Sequence, residues 1–324
     1  MLRLFHSIFG GDDEPESYPE TLVRAATERA VDGTDPWLRS LTAYQRKLRH
    51  AILHAIDHVV SMVDGSLAAP LELSRANYSS DPQLRLFFIS TEQMHNVLRR
   101  DPALTAFWQE PDRAQQTVWA LLTMECELRR TFGAELAGET IVRDVAQVTV
   151  GMAGHRLLDP CVDPIENRRL LKRRAFDHLL SLALARIAAV EDVREDLLRR
   201  RTLLQAKHDM LENSSWGFSD PSRETPPELN EVHRQLDDIE AQLLEFGGDD
   251  RYLEKNLEIV NDVLGNAERH LWTQPLTLIV DRMGIRRNTP ADDAPELTLT
   301  ELHNAAGRRV IAQLVTIPPD VPTH

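Results

Sequence analysis

The spacing of apolar positions changes along the chain, and each change marks an element. From Asp35 and Pro36, the residues Leu41, Tyr44, Leu48, Ile52, Ala55, Val59 and Val63 recur at helical intervals. This predicts one long helix to about Asp64, with Asp35 as its N-cap and Pro36 in its first turn. Asp81–Pro82 repeats the start signal for a helical region through Arg100, and Asp101–Pro102 for a short helix ending near Trp108. Val118, Leu121, Leu122 and Glu125 also fall at helical spacing, so Asp112–Arg130 reads as a further helix. From Phe132 the period drops to two. Val148, Val150 and Met152 share one face of a strand over 145–151, and Phe132–Leu136 is its candidate hairpin partner.

Beyond about Asn167 a longer repeat takes over. Phe176, Ala183, Val190, Leu197, Leu204 and Leu211 recur every seventh residue, the seam of a coiled-coil-like helix. The second seam position holds Leu180 and Ile187, then turns polar at Arg194, Arg201 and His208, so the outer half is expected to pack on one side only. Residues 213–227, rich in Asn, Ser, Gly and Pro, read as a tip loop. Leu229, Val232, Leu236, Ile239, Leu243 and Phe246 then alternate by three and four, and after Gly247–Asp250 the alternation resumes from Leu253 to Leu271. A short connection between long helices favours antiparallel pairing. Past the arm, Leu276, Leu278 and Val280 alternate as a strand, and Glu296–Leu302 and Arg308–Ile317 read as two more around a turn at His303–Gly307.

The expected fold class is therefore α+β, predominantly helical. It comprises an N-terminal helical region (17–131), a small antiparallel sheet built from 132–164 and 275–317, and an inserted antiparallel helical hairpin arm over 165–272. Residues 1–16 read as an apolar tag and linker, and 318–324 as a tail. The 324 residues are 42% apolar and 27% charged, within the globular range, and the 6% aromatic share favours helix. A formal charge of −14 argues against a phosphate-binding surface and so against nucleic acid as a partner. Two cysteines are too few for a disulfide framework and suit a reducing, cytoplasmic setting. Contact with a membrane would rest only on Met1–Phe9, where Leu2, Phe5 and Phe9 would share a helical face.

Candidate chemistry is sparse. His50, His54 and His58 stand four apart on one helix but flank its apolar stripe, and Glu92 with His95 forms a single Glu-x-x-His where di-iron bundles need two. Glu125 and Glu127 beside Cys126 would raise its thiol's pKa, against a nucleophilic role. His155, Asp159, Cys161 and Asp163 fall on what reads as a loop to Pro164. They are the candidate metal ligands, although four mixed donors so close match no strong spacing rule. No phosphate loop, dinucleotide fingerprint, His-Glu-x-x-His or nucleophile elbow occurs, so neither a cofactor nor a catalytic residue is assigned.

The runs RDVAQVTVGMAGHRLL, RRAFDHLLSLALARI and DRMGI resemble an uncharacterised family of bacterial hypothetical proteins across the C-terminal two-thirds of the chain. The resemblance implies a shared fold and no activity. With no enzymatic motif, the expectation is a scaffold or adaptor whose arm binds a protein partner, with Trp216 and Phe218 at the tip as anchors and a homodimer as one form of the pairing. The alternatives are an enzyme or ligand- or metal-binding protein with its site near His155–Asp163, and a peripheral membrane protein held through residues 1–9.

Overall fold

The computed structural model describes residues 18–67, 69–110, 113, 116–137, 140–213, 227–246 and 249–319. They form helices α1 (Glu20–Gly33), α2 (Tyr44–Ser66), α3 (Arg75–Ser80), α4 (Pro82–Phe87), α5 (Thr91–Arg100), α6 (Pro102–Trp108), α7 (Pro164–Asn213), α8 (Pro227–Phe246) and α9 (Asp249–Gly265). The strands are β1 (Leu71–Glu72), β2 (Val118–Ala137), β3 (Thr140–Cys161), β4 (Leu271–Ile279), β5 (Glu296–Asn304) and β6 (Arg309–Ile317). The fold is α+β, as expected, and none of the described helices is long and apolar enough to cross a membrane. The described residues divide into a sheet unit within Ala55–Phe176 and Ala267–His324 and a helical unit within Tyr18–His54 and Asp177–Asn266.

In the sheet unit the strand order is β3-β2-β6-β5-β4, antiparallel throughout, with the short β1 added parallel to β6. Strands from both sides of the helices in sequence share one sheet, which is the predicted topology. Its extent corrects the expectation in two places. The segment read as a helix over Asp112–Arg130 is mostly β2, and the segment read as a loop from His155 is β3 through Cys161. In β2 the residues Val118, Ala120, Leu122 and Met124 are buried in alternation, with Cys126 packed partly against the same core. That period of two prevails over the helical coincidence of Val118, Leu121, Leu122 and Glu125, because β3 and β6 supply partners on both sides. Leu271 and Trp272, read as the end of the arm, open β4.

One face of the sheet carries α4, α5 and α6, whose Leu84, Phe87, Met94, Leu98, Leu104 and Phe107, with Phe88 just after α4, close the core on β2, β5 and β6. The other face meets the second half of α2. Thr300, neighbour of the core residue Leu299 and so on the opposite face, donates to the Ser66 carbonyl at 2.9 Å, and Ser66 Oγ meets Thr273 Oγ1 at 2.7 Å. Both sheet edges are protected. β4 carries Pro275, which removes a donor, and β3 is covered at Val148–Val150 by the turn after Val280. There Val150 N donates to Gly284 O and Arg286 N to Val148 O, each at 2.8 Å. Asp281 builds that turn, accepting from Met283 N and Ile285 N at 2.9 Å, with Gly284 at φ +76°.

The helical unit assembles α1, the first part of α2, most of α7, α8 and α9. The predicted helix from Asp35 is interrupted: Pro36–Ser40 is a single 3-10 turn, and Ala43 at φ +59° separates it from α2. Leu22, Val23, Ala26, Ala30 and Val31 of α1 are buried, as are Leu48 and Ile52 of α2, Leu180, Ala183 and Ile187 of α7, and Leu257, Val260, Val263 and Leu264 of α9. Alanine and glycine let the helices approach closely: a Cβ on Gly33 would stand 3.2 Å from Leu180 Cδ1. Along α7 and α8 the buried positions thin out to Leu197, Val232 and Ile239. The segment expected as a tip loop, with Trp216 and Phe218, and the segment Met1–Phe9 lie outside the described residues.

Candidate functional site

A cleft of about 1030 Å³ in the sheet unit opens where α5 and the start of α6 face β3. Glu92, Gln93, Asn96, Arg100, His155 and Arg156 give it a polar lining. Each wall is fixed by a helix cap. Ser90 Oγ accepts from Gln93 N at 3.1 Å and the Gln93 amide oxygen accepts from Ile89 N at 2.6 Å, a reciprocal cap that starts α5. Asp101 starts α6, with Oδ1 accepting from Ala103 N at 2.9 Å and Leu104 N at 3.0 Å. Its other oxygen, Oδ2, accepts from Leu157 N at 2.9 Å, so one buried carboxylate caps a helix and pins the edge strand.

His155 enters the cleft through a bulge. Thr123 pairs with Arg156 and Glu125 with Ala153, which leaves Gly154 and His155 opposite Met124 alone. Gly154 takes φ +65°, the left-handed backbone this kind of bulge requires, and the insertion re-aims the next side chain. His155 Nε2 lies 2.7 Å from the Phe87 carbonyl, and its ring stacks on Phe88 at 4.9 Å between centroids. A carbonyl only accepts, so Nε2 carries the proton and Nδ1 keeps the lone pair. Burial lowers the His155 pKa below its ordinary value, against the opposing pull of the Phe87 carbonyl. The imidazole is therefore neutral at pH 7, with one nitrogen committed to the fold and the other an acceptor.

The other three candidates go to different tasks. Asp159 stands at a second bulge with φ +51°, its carbonyl accepting from Asn167 Nδ2 at 2.9 Å and its carboxylate paired with Arg174 at 2.7 Å. Cys161 donates its thiol to the Asp163 carbonyl at 3.2 Å, and burial pushes the thiol up to about 11, so it stays protonated at neutral pH. Asp163 Oδ1 accepts from Ile165 N at 2.9 Å at the start of α7, just ahead of Pro164. Among the described residues no three His, Cys, Asp or Glu side chains are placed to hold one metal ion. Cys126 is held above the usual thiol range by burial first and by the charge of Glu301 second, rather than by its sequence neighbours.

Sequence reasoning missed Asp101, the main polar hub of this cleft. Asp-Pro announced its capping role, but its second bond spans 56 residues and leaves no local signal. Gly154 is the one local hint of the bulge that places His155.

The helical unit holds contacts of a different kind. Arg186 pairs with Asp262 at 2.9 Å, the Arg194 guanidinium lies 5.5 Å over the Tyr252 ring, and His208 Nε2 meets His233 Nε2 at 2.8 Å. Outside these pairs Leu203, Met210 and Leu244 face solvent at 66%, 69% and 73% exposure. No protein-family model, curated protein or solved structure matches the chain.

Proposed function

We propose that the protein is a cytoplasmic scaffold or adaptor, and that α7 with α8 and α9 forms an antiparallel, coiled-coil-like arm that binds an amphipathic helix of a partner protein. The order of contacts supports the hairpin: as the α7 partner advances from Arg186 through Arg194 to His208, the opposing residue retreats from Asp262 through Tyr252 to His233. The observation that carries the binding role is the pair Leu203 and Met210. They lie seven residues apart, hence on one face of α7, and are exposed beside a seam already used by Leu197, Val232 and Ile239. An apolar row left outside an occupied seam is the surface that another amphipathic helix would cover. The two cysteines are both free, which suits a reducing compartment.

The test is co-purification. The tagged chain, expressed in its native host, should bring down a defined partner, and the double substitution Leu203→Glu with Met210→Glu should remove that partner while leaving the helical circular dichroism unchanged. A partner list identical for both proteins would reject the arm as the binding element.

A second reading, a small-ligand site at the His155 cleft, is favoured by the polar lining and the acceptor at Nδ1, for which no donor is found among the described residues. His155→Phe keeps the stacking on Phe88 and removes that acceptor. Ligand carried through purification should then be lost.

A further inference from the structure

Asp35 does more than start the 3-10 turn. Its Oδ1 accepts from Trp37 N at 2.9 Å, and its Oδ2 accepts from Asn256 Nδ2 on α9, also at 2.9 Å. A carboxylate oxygen cannot donate, so Asn256 must turn its NH2 group toward Asp35, and this decides where the amide carbonyl points. Asn256 is wholly buried, at 0% exposure, and its Oδ1 has no hydrogen-bond partner among the described residues. Buried amide oxygens are ordinarily paired, so an orphan one marks a place where a donor belongs.

Asn256 lines a cleft of about 460 Å³ within the helical unit, shared by the Thr34–Trp37 turn, α7 and α9. That volume lies in the range of small-molecule sites. Ile187 and Ala188 supply an apolar wall, and the Trp37 indole stands at the rim, 75% exposed. Two carboxylates, Asp35 and Glu191, face one guanidinium, Arg194, which already lies over the Tyr252 ring. The unmet need is for a hydrogen-bond donor, the charge balance favours a cation, and the exposed indole offers a π face.

We propose that this cleft binds a small organic cation with N–H donors, an amidinium, guanidinium or ammonium group on a short apolar stem. Its N–H group donates to Asn256 Oδ1, Asp35 and Glu191 balance its charge, and the stem lies between Trp37 and Ile187. The same chemistry is carried by free amines and by arginine side chains of a protein. The site stands whether or not the arm binds a partner helix.

Isothermal titration of the full chain with agmatine, benzamidine and a blocked Gly-Arg-Gly peptide tests it, with Trp emission as a second readout. Saturable binding of at least one cation is expected, with benzoate silent. A tighter fit for agmatine or benzamidine indicates a free amine, and for the peptide a protein side chain. Asn256→Ala should weaken binding by about tenfold, the loss of one charge-assisted hydrogen bond. Asp35→Asn keeps the turn's cap but removes the charge, and it presents an NH2 group that draws Asn256 Oδ1 away from the cleft, so binding should fall at least as far. Should Asn256→Ala fail to fold, Glu191→Gln and Trp37→Ala, both at exposed positions, decide the matter by the same loss. No saturable heat with any cation, equal binding of benzoate, or affinity unchanged in these variants would overturn the site and indicate that water alone satisfies Asn256.

Discussion

The sheet unit and the helical unit are held by different kinds of interaction. In the sheet unit, single polar side chains each perform a task that no neighbour shares. Asp101 joins α6 to β3, His155 ties β3 to the end of α4, and Asp281 shapes the turn that covers the β3 edge. In the helical unit the work is spread over repeated apolar positions of similar character, such as Ala183, Ile187, Val260 and Leu264. A loss in the first is local and specific, whereas a loss in the second is shared among neighbours. The exposed apolar side chains Leu203 and Met210 lie on α7, in the unit whose stability is shared in this way.

Substitutions can sharpen or break that contrast. The largest effect is expected from Phe88→Ala, which empties a fully buried ring site under the sheet and should cost about 3–5 kcal/mol in denaturant unfolding. Asp101→Ala removes an N-cap and leaves a strand N–H without its acceptor, about 2–4 kcal/mol together, and amide exchange should rise first at Leu157. If Asp101→Ala proves as mild as a surface change, the hub reading fails. Gly154→Ala meets no neighbouring atom but must hold φ +65°, so about 1–2 kcal/mol is expected from backbone strain alone. At the small end, Leu203→Ala should change stability by no more than about 0.5 kcal/mol.

Acid offers a further comparison, because among the described residues each unit holds one histidine whose pKa burial lowers, His155 in the sheet unit and His178 in the helical unit. A folded-state pKa below the unfolded value means that the unfolded chain binds more protons between the two. Stability from these groups is thus full above about pH 6.5 and declines as pH falls through the window down to their folded values. Thermal melting followed from pH 7.5 to 5 should show that decline, and His155→Phe should flatten it in part. A melting point that rises on acidification would contradict the assignment.

How far the sequence could be read depended on whether the deciding partner was local. Asp35, Asp81 and Asp101 before proline were legible as caps, and each accepts from the backbone two residues on. The hairpin of β5 and β6 was legible from its alternation, and the turn has Gly307 at φ +75°. The helix expected over Asp112–Arg130 failed because a stretch can satisfy both periods at once, and only pairing with β3 and β6 decides between them. Of the candidate site, His155 was singled out for its chemistry and Gly154 beside it hinted at the bulge, yet the Phe87 carbonyl and Asp101 that define its setting lie far off in sequence. Asn256 with Asp35, separated by 221 residues, left no signal at all.

The strand order carries a consequence for how the chain is made. β2 and β3 are adjacent in sequence and can pair as soon as both have emerged, but the next place in the sheet belongs to β6, the last of the described strands to be synthesised. Throughout translation of the intervening helices, the inner edge of β2 from Val118 to Met124 stays open. Long-range pairing of this sort is slow to close and prone to wrong partners while it waits. A nascent chain halted before Arg309 should therefore be held by chaperones, and released once β6 is free of the ribosome.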